Sequence, residues 1–357
     1  MKIKYPKNTM IFVKTTEQCN LRCEHCYLGM EKPIGWYLPY QAARWLKKYQ
    51  EETDSALQLC IHGGEPMLTP THMITTLIDR LREMDINASL SIATNLVYDL
   101  TPGRLKVLKR INNIATSWDA GDINRFALSN DHYTWVQNMK TLTEDVDVTV
   151  MSSISQGLVN MDPKKYAEKM IYFGTKYIIL ERLMGTANIP STIVPKNTDV
   201  DNWCLELFKL TIKEKYYEKF SNIIFDSMIN AELNGGRPNT YSRNCNSQVL
   251  TLNADNTISG CPSAHENRYG TFETSIEELF KSKNRIKFAA HEANFNSEIC
   301  FKCDQFDFCG GGCILVDWQG NTCNNLPKTM RYIRNYVKEF PTEAENIIQL
   351  NKYNMEV

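Results

Sequence analysis

No run of apolar residues in this chain is long enough to cross a bilayer. The opening residues, Met1-Lys2-Ile3-Lys4-Tyr5-Pro6, have neither the apolar core nor the small-residue cleavage site of a signal peptide, so a cytoplasmic protein is expected. Charge of one sign is scarce too: 40 Lys and Arg stand against 41 Asp and Glu, with no long run of either. Without a basic stripe or an acidic tail, neither nucleic acid nor a membrane surface is an expected partner. Internal repeats and low-complexity segments are missing, and histidines 62, 72, 132, 265 and 291 make no spacing of a metal site. Cysteine is abundant, with twelve residues. Disulfides are disfavoured in the cytosol, so metal binding is the leading explanation for them. At 357 residues the chain can bury a sizeable core and suits one large α/β domain with a smaller one.

From Met10 to about Phe220, short apolar runs alternate with longer amphipathic stretches. Strands are expected at 10–15, 57–61, 89–93, 113–117, 146–151 and 177–181, and helices at 38–52, 70–86, 102–110, 129–144, 162–173 and 199–219. Pro70, Pro102 and Pro163 fall where proline suits a first helical turn. Six strand–helix units in series imply a parallel sheet with right-handed crossovers. An eight-unit closed barrel would need two more, so the fold class is α/β, a partial (β/α)6 barrel of the TIM type. Chemistry in such a barrel sits at the C-terminal ends of the strands.

The first strand runs into Cys19-Asn-Leu-Arg-Cys23-Glu-His-Cys26-Tyr. A strand ending in a tight loop can aim all three sulfurs at one point. A four-iron cluster held by three thiols leaves one iron open to another ligand. A zinc knuckle or a local disulfide uses the same residues, although zinc loops favour two thiols with partners elsewhere. The second strand is followed by His62-Gly63-Gly64-Glu65-Pro66. A second cysteine group comprises Cys245, Cys261, Cys300, Cys303, Cys309, Cys313 and Cys323, with Gly310, Gly311 and Gly312 between two of its thiols. Four sulfurs as close as 300–313 point to metal, a zinc ribbon being the simplest alternative to iron and sulfur.

The CX3CX2C loop of Cys19, Cys23 and Cys26 resembles that of the radical S-adenosylmethionine (SAM) superfamily, and Gly63-Gly64-Glu65-Pro66 resembles its GGEP motif. The resemblance implies a SAM-binding 4Fe-4S cluster on Cys19, Cys23 and Cys26, which are then also catalytic. It implies 5′-deoxyadenosyl radical formation and an electron donor such as flavodoxin or ferredoxin. Glu65 and backbone carbonyls at Gly63, Gly64 and Pro66 are expected at the SAM ammonium. Asn95 and Ser117, at the ends of strands three and four, resemble positions that hold the ribose and the methionyl carboxylate. Thr-Asn and Ser-x-Asp (Asp119) also make turns and caps. Arg125 is a candidate partner of the SAM carboxylate or a solvated arginine. Ser152 and Ser153 follow strand five, and Glu181 and Arg182 end strand six, as SAM or substrate contacts or a structural pair. His25 stands where the family carries an aromatic ring over adenine, and Tyr27 is a candidate for the same role.

Cys245 to Cys323 resembles the SPASM extension of many radical SAM enzymes, with Cys300, Cys303, Cys309 and Cys313 in CX2CX5CX3C. Two auxiliary iron–sulfur clusters are implied: one on Cys300, Cys303, Cys309 and Cys323, the other on Cys245, Cys261 and Cys313, one ligand short. Cys204 is a candidate remote fourth ligand, and Cys60 reads as a buried hydrophobe. Cys245 and Cys261 bracket a probable hairpin, 249–252 to 257–258, with Asn256 standing for the usual glycine in a left-handed turn. The expected segments are a barrel over 1–220, a linker over 221–244, a cluster domain over 245–327 and a helical tail over 328–357 that caps the second domain.

Auxiliary clusters can take the electron left on a substrate radical, so a net oxidation is expected. Within the family the leading substrate is a ribosomally made peptide, modified or cross-linked, with a separate leader-binding protein as a possible partner. The alternative is dehydrogenation of a small molecule such as a sugar or cyclitol, and a non-catalytic zinc-binding module is a third reading. Sulfatase-type maturation calls for an Asp after the second SPASM cysteine, where this chain has Pro262.

Overall fold

Period-two burial along the apolar runs and period-3.6 burial between them produce an alternating strand–helix chain. The computed structural model describes residues 3–28, 37–121, 125–185, 189–238, 245–264, 267–294 and 298–352; His265, the end of the expected linker from 239 to 244 and the tail from 353 on lie outside them. The elements are β1 (Asn8–Thr16), α1 (Pro39–Thr53), β2 (Ala56–Gly63), α2 (Thr71–Glu83), β3 (Ala88–Ala93), α3 (Pro102–Ile111), β4 (Ile114–Ser117), α4 (Asp131–Thr143), β5 (Val148–Ile154), α5 (Gln156–Asn160), α6 (Pro163–Phe173), β6 (Tyr177–Arg182), α7 (Asn197–Lys213), β7 (Ser221–Asn222) and α8 (Ile223–Asn234). Strands β1 to β7 pair in sequence order, all parallel. The six expected units are present. Pro102 and Pro163 open α3 and α6, their lost N–H groups being ones that a first turn leaves unpaired anyway.

Three features differ from the sequence expectation. The helix expected to run to 219 stops at Lys213, because Lys215 takes a left-handed backbone with φ 53° and a short 3-10 turn follows at Tyr216–Glu218. Residues 221–234, expected in a linker, instead form β7 and α8, whose Ile224, Phe225, Met228 and Ile229 are buried in the barrel core. The segment after Cys245 is not a separate body either. Its β8 (Val249–Leu252) pairs in parallel with β1, placing Met10 beside Val249 and Val13 beside Leu252. Strands β9 (Thr257–Ser259) and β10 (Arg268–Thr271) continue the same sheet antiparallel, giving ten strands in the order β10-β9-β8-β1-β2-β3-β4-β5-β6-β7. Asn256 turns the β8–β9 hairpin at φ 64°, the left-handed conformation expected of it.

Two apolar cores hold these layers. One fills the space around β2–β6 and their helices; the other packs α1 against β1, β2 and β8, joining Trp45, Leu46 and Tyr49 to Ile11, Leu59, Leu250 and Leu252. The helix Pro327–Glu339 lays Met330, Ile333, Tyr336 and Val337 against α7 and α8, each burial contributing ~1.5–3 kcal/mol. The Asp201 carboxylate accepts from the N–H groups of Lys328 and Thr329 at 2.9 and 3.0 Å, tying the start of that helix to α7. The tail also reaches the cysteine-rich segment, where Arg331 forks onto Asp304 at 2.6 and 2.7 Å. It therefore does more than cap: it clamps that segment to the barrel flank. Among the described residues no helix is long and apolar enough to cross a membrane.

Candidate active site

A cavity of ≈ 200 Å³ opens at the C-terminal ends of the barrel strands. Cys19, Cys23 and Cys26 line it together with His25, Tyr27, His62, Gly63, Gly64, Asn95, Ser117, Arg125, Ser153, Glu181 and Arg182. Of the residues offered for SAM contact, Glu65, Pro66, Asp119 and Ser152 do not line this space, and Ser152 is buried against the Tyr166 hydroxyl instead.

The two glycines work differently from the sequence reading. A Cβ on Gly63 would lie 2.1 Å from the Thr16 carbonyl oxygen, and one on Gly64 would lie 2.1 Å from that of Gln18. The close approach is to the chain itself. Gly64 N–H donates to Thr16 O at 2.8 Å and Glu65 N–H to Gln18 O at 2.7 Å, stitching the end of β2 to the start of the cysteine loop. Glu65 points away from the cavity. Its buried carboxylate accepts from Met67 N–H and the Thr94 hydroxyl, each at 2.8 Å, and from Asn95 N–H at 2.6 Å. Burial pushes its pKa up to about 7 against those three donors. It is a knot between β2 and β3.

Asn95 is turned onto the cysteine loop. Its amide donates to Asn20 Oδ1 at 2.8 Å and contacts Cys19 Sγ at 3.7 Å, while its own Oδ1 accepts from Val97 N–H at 2.8 Å. Across the cavity, Arg125 is paired with the buried Asp119 carboxylate. Its Nη2 and the Ser153 hydroxyl both meet His25 Nε2 at 3.3 Å, and Ser153 N–H donates to Asp119 at 2.7 Å. Burial opposes the Arg125 charge, yet Asp119 and Cys23 hold its pKa above the ordinary value. Arg125 is therefore neither solvated nor loose. Glu181, at the end of β6, is exposed into the cavity. Arg182 spends its guanidinium on the Asn324 carbonyl at 2.8 Å and on Asn197 Oδ1, tying β6 to the cysteine-rich segment while its side chain borders the cavity.

The other thiols form two further groups. Cys300, Cys303, Cys309 and Cys323, the four expected to make a complete set, line one small cavity of ≈ 130 Å³ walled by Ile299, Phe306, Trp318 and Met330. Gly310, Gly311 and Gly312 all have positive φ, from 73° to 103°, and turn the chain around it. Cys261 and Cys313 are electrostatic neighbours of each other, and burial pushes Cys313 up to about 11. Cys60 in β2 and Cys204 in α7 are buried, and burial pushes them up to about 11 and about 12. Cys204, offered above as a remote ligand, belongs to the barrel core.

One local geometry recurs at the thiols. The peptide N–H two residues on faces the sulfur at Cys19, Cys303 and Cys323, each at 3.4 Å, and at Cys261, Cys309 and Cys313. Asn325 adds an amide N–H onto Cys309 Sγ at 2.9 Å. Such dipoles favour thiolate and are the protein's means of tuning an iron–sulfur cluster, so the donor set fits that group at all three places. Among the described residues no three Cys, His, Asp or Glu side chains are placed to hold a single ion.

No protein-family model matches the chain, and no curated protein matches it in sequence. Solved structures do. anSMEcpe with bound AdoMet superposes with a TM-score of 0.76 at 16% identity, over 95% of this chain and 99% of that one. The same protein with AdoMet and the Kp18Cys peptide gives 0.75 at 17%, over 95% and 99%. SuiB of Streptococcus suis bound to precursor peptide SuiA gives 0.62 at 13%, over 88% of this chain and 73% of that one. These likenesses show the fold, which this chain shares with AdoMet-bound anSMEcpe and with SuiB.

Proposed function

We propose that this chain is a radical SAM enzyme that modifies a peptide by a net oxidation. The observation that carries the reading is the convergence of three thiols, Cys19, Cys23 and Cys26, on one cavity at the C-terminal rim of the barrel. Neighbours of the same fold, two of them solved with AdoMet and two with a peptide, support both the cofactor and the substrate class.

When bound, an iron–sulfur cluster on the three thiols would supply the electron that splits SAM to a 5′-deoxyadenosyl radical. The chain's own contribution is placement. Gly64 and Glu65 fix the loop's entry, Asn95 fixes Cys19, and the Asp119–Arg125–Ser153 set fixes the His25 ring at the cavity wall. With Arg125 answered by Asp119, and Arg182 by Asn197 and Asn324, the Glu181 carboxylate is the group in this wall best suited to a cationic or hydrogen-bond-donating group. The sets at Cys300 and Cys261 would hold the auxiliary clusters that take the substrate's second electron.

The test is anaerobic reconstitution with iron and sulfide, followed by reduction with SAM and candidate peptides. Cys23→Ala is expected to abolish 5′-deoxyadenosine, whereas Cys309→Ala spares it and stops the two-hydrogen mass loss from the peptide. Unchanged 5′-deoxyadenosine from Cys23→Ala removes the loop from the mechanism. Turnover of sugars or cyclitols but of no peptide moves the substrate class to small molecules, and a chain that takes up zinc alone is no radical enzyme.

A further inference from the structure

Lys14 lies on β1, two residues before the strand ends, and is 0% exposed. An ammonium buried in this way costs several kcal/mol unless something anionic answers it. Within the described residues the answer is thin. Nζ donates to the Pro262 carbonyl at 3.4 Å and stands 5.0 Å from the centroid of the Tyr27 ring. The charged or titratable groups that face it are Glu17 on the loop leaving β1, Arg268 and Asp255 on the β8–β10 segment, Cys261, and His62 on β2. Arg268 and Asp255 are paired with each other at 3.4 Å, and Arg268 adds charge of the same sign. Burial lowers the Lys14 pKa to about 8, with Glu17 pulling the other way.

Lys14 does not line the main cavity. Both direct contacts are instead next to thiols. Tyr27 follows Cys26, and Pro262 follows Cys261, whose sulfur lies within the field of the ammonium. Cys261 in turn is a neighbour of Cys313.

We propose that Lys14 is a positioned cation that raises the reduction potential of an iron–sulfur cluster held at Cys261 and Cys313. The inference rests on the reading of Cys245, Cys261 and Cys313 as cluster ligands. A thiolate-bound cluster is anionic and gains a further negative charge on reduction. A fixed positive charge in low dielectric favours the reduced form most. The cation thereby makes this cluster the better acceptor, which is what an oxidation at the cavity needs.

The experiment uses the full-length chain with Cys19, Cys23 and Cys26 replaced by Ala, so that only the auxiliary clusters remain, and follows an EPR-monitored redox titration. Lys14→Met is expected to shift one of the two midpoints to lower potential and leave the other in place, and Lys14→Arg restores the first. Midpoints that both stay put, or that move together, overturn the role of Lys14, as does an Arg variant that behaves like Met. Should Lys14→Met not hold iron, Lys14→Gln is titrated by the same criteria. If Cys261→Ala with Cys313→Ala loses no iron, the cluster reading itself fails and the inference falls with it. A full iron count with unmoved potentials overturns Lys14 alone.

Discussion

Replacing Gly64 by Ala tests the stitch between β2 and the cysteine loop. The new Cβ would stand 2.1 Å from Gln18 O and 2.5 Å from Glu17 O, both backbone atoms that no rotamer change can move. Relief to the 3.4 Å of ordinary contact requires the loop entry to retreat by more than 1 Å. At that separation the bonds from Gly64 N–H to Thr16 O and from Glu65 N–H to Gln18 O, now 2.8 and 2.7 Å, are lost. Two hydrogen bonds at ~1 kcal/mol each and ~1–3 kcal/mol of overpacking give ~3–5 kcal/mol. At ~2 °C per kcal/mol the melting point falls by ~6–10 °C. Cys19 lies one residue beyond Gln18, so the reconstituted chain also loses the iron of the first site while keeping that of the auxiliary sites. Gly103→Ala is the control: nothing lies within 4 Å of its added Cβ, in the first turn of α3, and it is expected to stabilise by ~0.4–1 kcal/mol. Scanning calorimetry and iron analysis read both variants. Gly64→Ala melting within 2 °C of the parent, with full iron, would refute the reasoning.

Two further outcomes follow from buried polar groups. Asp226 on α8 accepts from Asn351 at 2.9 Å and from Ser221, and burial pushes its pKa from 3.8 to about 7. The folded chain therefore keeps a proton that the unfolded chain releases between about pH 4 and 7, so this residue's contribution is present at the acid end and is lost as pH rises through that window. Asp226→Asn should gain on the parent by up to ~4 kcal/mol across it in urea unfolding, and a difference that is flat with pH refutes the assignment. Arg182→Met strips a charged donor from Asn324 O and Asn197 Oδ1 and should cost ~2–4 kcal/mol; a loss under ~1 kcal/mol would show that the barrel and the cysteine-rich segment hold together without it.

The six strands and their helices were legible because each is a local pattern: apolar runs such as Ile11 to Val13, and a helical stripe through Ala43, Leu46 and Tyr49. The hairpin turn at Asn256 was legible for the same reason, one residue type suiting one backbone conformation. What escaped was nonlocal. Nothing in Val249–Leu252 says that its partner is β1, some 240 residues earlier. The GGEP glycines were read for carbonyls offered to SAM, since their sequence cannot tell that the chain's own backbone comes close. Glu65 was assigned an outward role, and Arg182 was left open between a ligand contact and a structural pair, because their internal partners, Asn95, Asn197 and Asn324, come from distant elements. Lys14 did leave a signal, a charge set in an apolar strand just ahead of the cysteine motif. A lysine there reads equally well as a strand end reaching for water.

Because β1 lies between β2 and β8, the first strand to be synthesised is the last to be enclosed. Until roughly the last third of the polypeptide emerges, one edge of the strand that carries the cysteine loop offers bare amides and carbonyls to any neighbour. The loop's platform is thus completed only when the segment after Cys245 arrives to pair with it.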